Sequence, residues 1–185
     1  MVMKNLMKIG FLLALVVSIS SCEKVKGLFD IDFDTTFKGD LEIEIPESEL
    51  KSAEFHEFHS TVEVKIEDYD DIVEYGENIR EINVDSILAT VKDVNKDDVV
   101  FSKGTTFSIY DKEDKATWEL ENDWDIVVGT KLTLGDIGNE KYNTVKRILE
   151  KQKTFTISGD GYCTEKGVSI TIRLIIGTTV VANPL

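Results

Sequence analysis

The sequence predicts an all-β domain: an antiparallel β-sandwich, Ig-like or related in topology, carrying one amphipathic helix near residues 139-152. Three observations lead there. From Phe29 onward, apolar and polar residues alternate with a period of two, which marks half-buried strands. Clusters of Asp, Asn, Gly and Lys interrupt the alternation at short intervals, as turns do. Nothing in the chain reads as a strand–helix–strand repeat.

The elements follow in order. Phe29, Ile31, Phe33, Phe37, Leu41, Ile43 and Ile45 take odd positions, while Asp30, Asp32, Asp34, Lys38, Asp40, Glu42 and Glu44 take even ones. One face of this long strand is therefore apolar and the other charged, with Gly39 expected as a bend or bulge and Pro46 as its end. Phe58, Val62, Val64 and Ile66 point inward from a second strand. Asp68 to Asp71 is a turn leading to a short helical piece around Ile72 to Asn78. Ile87, Ala89 and Val91 are in phase within a strand in Ile82 to Val94, and Asn95-Lys96-Asp97-Asp98 turns the chain. Val99 to Tyr110 is extended but broken at Gly104, and Asp111 to Lys115 is a charged turn. Ala116 to Leu120 and Thr130 to Leu134 are short strands. The period then changes. Tyr142, Val145, Ile148 and Leu149 recur at helical spacing over Asn139 to Gln152, with Asn139 placed to cap the start. Phe155 to Cys163 and Val168 to Val181 return to strand, with Gly159-Asp160-Gly161 expected as a bulge or turn.

The N-terminus reads as an address. Lys4 and Lys8 make a positive start without an acid, Ile9 to Val17 is uncharged and apolar, and Ser18, Ile19, Ser20, Ser21 and Cys22 follow. The apolar run is too short for a spanning helix, which needs about 20 residues, and fits the core of a secretory signal. Ile19-Ser20-Ser21-Cys22 resembles the lipobox of bacterial lipoproteins, a branched apolar residue and two small residues before cysteine. The resemblance implies cleavage before Cys22 and lipid on its sulfur, with acyl chains strong enough to anchor the domain. It divides the chain into a signal peptide (1-21), a short lipidated tether (22-28) and the sandwich domain (29-185). The domain pattern also resembles the small β-sandwich lipoproteins of Gram-negative bacteria, which implies a cell-envelope location, most readily the outer membrane, facing the periplasm or the medium.

Composition narrows the partners. The chain has 185 residues, 21 basic and 35 acidic; without the first 21 residues, 164 remain, with a net charge of −16. That length supports one domain with a real core. A surface so acidic repels DNA, RNA and anionic headgroups, so nucleic-acid binding is excluded as a function class. With Cys22 lipidated, Cys163 has no partner for an internal disulfide; it stands in phase with Phe155 and Ile157 and reads as a small buried apolar residue.

Three groups qualify as candidate sites. Asp30, Asp32 and Asp34 alternate as calcium ligands do, but Thr35 and Leu41 stand where a calcium loop needs glycine and an acid; a solvated strand face is the simpler reading, with calcium as the only cofactor worth testing. His56 and His59, three apart on a strand, face opposite sides and make a poor zinc pair. Trp118, Trp124, Tyr110 and Tyr162 are aromatic and suit a carbohydrate or peptide site, Trp124 being the most exposed by its polar neighbours Asn122, Asp123 and Asp125. The acidic turns Asp68, Asp70, Asp71 and Asp111, Glu113, Asp114 read as turn chemistry and solubility. No nucleophile elbow, phosphate loop, dinucleotide fingerprint or Cys/His metal set is present, so a non-enzymatic role is expected. The function expected is a membrane-anchored lipoprotein whose sandwich binds a glycan, peptide or protein at the envelope. The alternative is a structural subunit of an envelope assembly or surface fibre, adding strands at a sheet edge.

Overall fold

A computed structural model describes residues 30–47, 55–135, 137–151 and 153–183. The segments expected to be a signal peptide (1-21) and a lipidated tether (22-28), with Cys22, lie outside the described residues. Ten strands and two α-helices are described: β1 (Ile31–Ile45), β2 (His56–Val64), α1 (Asp70–Tyr75), β3 (Ile79–Val94), β4 (Val100–Phe101), β5 (Thr106–Tyr110), β6 (Lys115–Glu119), β7 (Trp124–Asp125), β8 (Lys131–Thr133), α2 (Glu140–Glu150), β9 (Phe155–Cys163) and β10 (Val168–Ala182). They form two antiparallel sheets packed face to face, as expected of a sandwich.

One sheet runs β1-β10-β3-β8; in the other, β9 pairs with β2 on one side and with β5 and β4 on the other, with β6 and β7 beyond. The chain thus crosses between sheets repeatedly, and its first and last strands lie side by side. This connectivity belongs to the jelly-roll branch of sandwich architectures rather than the immunoglobulin branch. The strand pair that decides it, β1 with β10, joins residues about 140 apart. Alternation alone reports which face a strand buries and not which strand lies beside it, so the sequence shows the layers without the order.

β1 and β10 pair residue for residue, from Ile31 with Ala182 to Ile45 with Val168. Their inward faces set Phe37, Leu41, Ile43 and Ile45 beside Ile170, Ile172, Leu174 and Ile176, all buried. A slip of one residue would turn the whole set outward, so this register is fixed by burial. On the outer face Arg173 donates to both oxygens of Asp40 at 2.6 Å, and the guanidinium holds that carboxyl below its usual range. β3 pairs with β10 through three register shifts, which let its 16 residues twist across the sheet.

Two glycine expectations are corrected. Gly39 makes no bulge: β1 runs through it in unbroken register. It is glycine because the second sheet closes over it, and a methyl there would sit 2.7 Å from Ile157 Cδ1 and 2.9 Å from Val62 Cγ1. Gly159-Asp160-Gly161 is neither turn nor bulge but the interior of β9, paired continuously with β2. Gly161 leaves room for Thr105, whose Cβ would come within 2.7 Å of an added methyl.

The helix α2 begins where the sequence places it. Asn139 Oδ1 accepts from the Tyr142 backbone N–H at 3.0 Å, capping the first turn. Tyr142, Val145, Ile148 and Leu149 are buried against β3, β5 and β6, and Tyr142 Oη accepts from the Ile87 N–H at 3.2 Å. The helix covers part of the opening between the sheets on the side where β6 and β8 form the edges. At the opposite side β1 and β2 lie close together, with Ser60 Oγ donating to the Glu42 carbonyl. No described helix is long and apolar enough to cross a membrane.

Candidate functional site

The open side of the sandwich holds a cleft of about 420 Å³, within the range of small-molecule sites. Three short segments build it. β6 and the stretch after it bring Trp118, Leu120 and, at the start of β7, Trp124. β8 and the following residues bring Leu132, Leu134 and Gly135 from the other sheet, and the first turn of α2 brings Lys141. Glu119, Glu121, Asn122 and Asp123 make a polar rim. A shallower hollow adjoins this rim, shared by Lys103, Glu121 and Lys141.

Both tryptophans proposed from sequence meet in this cleft, but the expected exposures are corrected. Trp124 is only half-buried rather than the exposed member of the set, since its ring packs edge-on against Phe101 and Phe107 with centroids 6.1 Å away. Trp118 is 6 % exposed. Its indole Nε1–H is buried and meets no acceptor among the described residues, a state that costs free energy unless something accepts the hydrogen. Lys141 Nζ lies 5.9 Å from the centre of the Trp118 ring, a cation–π arrangement. Tyr110 and Tyr162 take no part. They point to the outer face of the β2-β9-β5 sheet, Tyr110 under Lys115 and Tyr162 half in solvent.

Gly135 explains why this corner can be so close. Its φ of 76° is in the left-handed region that favours glycine. A methyl group there would sit 2.8 Å from Trp118 Nε1 and 2.9 Å from Asn139 Nδ2. The Gly135 backbone thus packs closely against Trp118 and Asn139, with no room for a side chain. Sequence reasoning missed Gly135 and Lys141 as cleft residues, because their meeting with Trp118 depends on how β8 and α2 dock.

The other sequence-stipulated groups are placed apart. Asp32 and Asp34 stand along β1, with Asp30 just before it, rather than around a point. Asp30 accepts from Arg80 at 3.0 Å, Asp34 takes a hydrogen bond from Thr179, and no cluster of three acids, histidines or cysteines suited to a metal occurs among the described residues. His56 is buried and His59 exposed on opposite faces of β2, with His59 Nδ1 paired to Asp160. Cys163 is fully buried, and burial raises its thiol above the ordinary range.

The acidic turn between β5 and β6 has a role that composition did not reveal. Lys151, just past α2, reaches Asp111 Oδ2 at 2.7 Å and Asp114 Oδ2 at 2.8 Å, while Arg147 reaches Asp114 at 3.0 Å. Burial acts to raise the Asp111 carboxyl, but the Lys151 ammonium and the backbone N–H groups of Asp114 and Glu113 overcome it and hold it at about 2. This network clamps the far end of α2, the helix whose near end supplies Lys141 to the cleft.

No family model matches the chain, and no curated protein matches it. Among solved structures, it is similar to a decameric BFDV capsid protein at 9 % identity and a TM-score of 0.43, covering 81 % of this chain and 99 % of that one. A 60-mer form of the BFDV capsid protein gives 9 % identity and a TM-score of 0.40, covering 85 % and 97 %. Likeness at this level carries no argument about what the chain does.

Proposed function

We propose that this chain is a lipoprotein, anchored by lipid on Cys22 to the cell envelope, whose sandwich is a non-catalytic binding module with the Trp118–Trp124 cleft as its ligand site. The observation that carries the binding half is a cleft lined by two indoles, where the buried Trp118 Nε1–H meets no acceptor among the described residues. An unsatisfied donor at an otherwise apolar wall is what a ligand with an acceptor would complete. The rim offers carboxylates and an amide, which suit hydrogen bonding to a bound molecule. The anchor half rests on the lipobox resemblance at Ile19-Ser20-Ser21-Cys22.

Two measurements test the halves separately. Cell fractionation of the wild type and Cys22→Ala should find the first with membranes and the second released; an alanine variant that stays with membranes removes lipid as the anchor. Intrinsic fluorescence of the two tryptophans, titrated with envelope saccharides and peptides, should shift with at least one of them. A spectrum that no ligand moves defeats the binding site while leaving the anchor standing.

A further inference from the structure

We infer that the cleft recognises an arginine or lysine side chain carried on a peptide segment of a partner, whose cation takes the place that the Lys141 ammonium now holds over the Trp118 ring, an inference that rests on reading the cleft as a ligand site. The cleft and the hollow beside it share Glu119, Leu120, Glu121, Asn122 and Lys141, so the two form one continuous furrow. One cation already lies in it. Lys141 Nζ stands 5.9 Å from the centre of the Trp118 ring, and Lys141 itself is exposed in the first turn of α2. Tryptophan is the aromatic side chain that holds a cation best. Along the furrow Glu119, Glu121 and Asp123 face Lys103 and Lys141, three carboxylates against two ammoniums. Among the described residues Glu119 and Glu121 form no ion pair with either lysine. Asp123 accepts from the Lys103 backbone N–H at 2.7 Å.

These groups decide the sign of the ligand's charge. An anion is repelled by the rim carboxylates and by the net charge of −14. A neutral ligand leaves Glu119 and Glu121 without a positive partner. A cation gains from the carboxylates and from the indoles together. A guanidinium gains most, because it stacks flat on an aromatic face and offers a fork of donors to a carboxylate. Its apolar stem lies along the Leu132 and Leu134 wall, as the stems of basic side chains do on apolar surface. Two adjoining hollows take more than one side chain, and Asn122 offers an amide to a peptide backbone. A segment of chain therefore fits the furrow better than a small free amine. Lys141 acts as a built-in stand-in for the ligand's cation and swings off Trp118 to admit it.

The test is a fluorescence titration of the full chain in neutral detergent. Both tryptophans of the chain line the cleft, so their emission reports on it. The probes are N-acetylated triarginine amide, the matching tricitrulline amide (the same shape without the charge) and triglutamate amide. Triarginine should shift the emission and bind on the order of tenfold tighter than tricitrulline. Lys141→Met should tighten triarginine about threefold by vacating the Trp118 ring. A positive charge at the start of a helix opposes its dipole, so the fold does not depend on Lys141. Glu119→Gln with Glu121→Gln should weaken triarginine about fivefold. The control pair Glu44→Gln with Glu63→Gln, exposed on β1 and β2, should change it less than about twofold because salt screens distant charges. Equal weakening by the two pairs overturns the inference, since the attraction then belongs to the whole acidic surface. Weaker binding by Lys141→Met, equal binding of tricitrulline, or tighter binding of triglutamate overturns it and leaves the cleft as a ligand site. Emission that none of the three probes moves also overturns it, and the saccharide titration then decides the binding site by itself.

Discussion

Replacing Gly39 by alanine tests the packing of the two sheets at one atom. The added methyl would sit 2.7 Å from Ile157 Cδ1, 2.9 Å from Val62 Cγ1 and 3.2 Å from Val64 Cγ2. Carbon atoms in contact normally stand about 3.5–4.0 Å apart, so roughly an ångström must be found. Val62 is half-buried and can lean outward, but Ile157 is fully buried and has nowhere to go. Overpacking of this kind costs about 1–3 kcal/mol, and the smaller unfolded-state entropy of alanine offsets roughly 0.4–1 of it. The expected net loss is about 1–2 kcal/mol. Ile157→Val, which removes the nearest methyl, should cost about 0.5–1.5 kcal/mol alone. Together the two should cost less than their sum, by about 1 kcal/mol, because the second change makes room for the first. Equilibrium urea unfolding followed by tryptophan fluorescence measures all four corners of the cycle. A Gly39→Ala loss below about 0.5 kcal/mol with additive energies would refute the closure of β2 and β9 over β1, and would restore the reading of Gly39 as a bend.

Two further outcomes follow from the charges and the thiol. Asp111 has its carboxyl depressed to about 2 in the folded chain, against about 3.9 for an unconstrained aspartate; the folded state therefore holds the charge more readily, so this group's contribution is present above pH 4 and is lost as pH falls toward 2. Melting temperatures of Lys151→Met across that window should decline less steeply than those of the wild type, and identical slopes would show that Lys151 does not hold Asp111 down. In a Cys22→Ala chain, Cys163, buried and raised by burial, should resist a thiol-specific chromogenic reagent in the folded state and react once in urea; rapid labelling of that native chain would contradict its place in the core.

What was legible in the sequence was everything that periodicity encodes. Phe37, Leu41 and Ile43 announce an inward face by spacing alone, and Tyr142, Val145, Ile148 and Leu149 announce α2, because each pattern is the local trace of one buried surface. The misreadings share a cause. Gly39 and Gly159-Asp160-Gly161 look like breaks because glycine most often breaks a strand, yet here its missing side chain makes room for a neighbour from another part of the chain. Trp124 looked exposed from Asn122 and Asp123, but Phe101 and Phe107 come to it across the sheet. Of the four aromatics grouped from sequence, Trp118 and Trp124 line one cleft and Tyr110 and Tyr162 do not, while Lys141 joins the tryptophans only through the docking of α2. Likewise Asp111 and Asp114 are an ordinary acidic turn until Lys151, 40 and 37 residues away, arrives from the helix end.

The edges of the first sheet differ in how far their backbone groups are occupied. A subunit that polymerises by strand addition needs a long edge with free N–H and C=O groups, and β1, at 15 residues, is the longest edge strand described. Its middle is occupied. Tyr69 Oη accepts from the Lys38 N–H at 2.9 Å and donates to the Lys38 carbonyl at 3.3 Å, and Ser60 Oγ donates to the Glu42 carbonyl at 2.7 Å. Tyr69 is held there by its ring, packed 4.8 Å from that of Phe37. An added strand would have to displace these three bonds and meet Lys38, Glu42 and Glu44 on the outward face. At the opposite edge β8 is three residues long, too short to template a partner, and the cleft opens beside it. The long edge is thus partly occupied at its middle, and the short one borders the Trp118–Trp124 cleft.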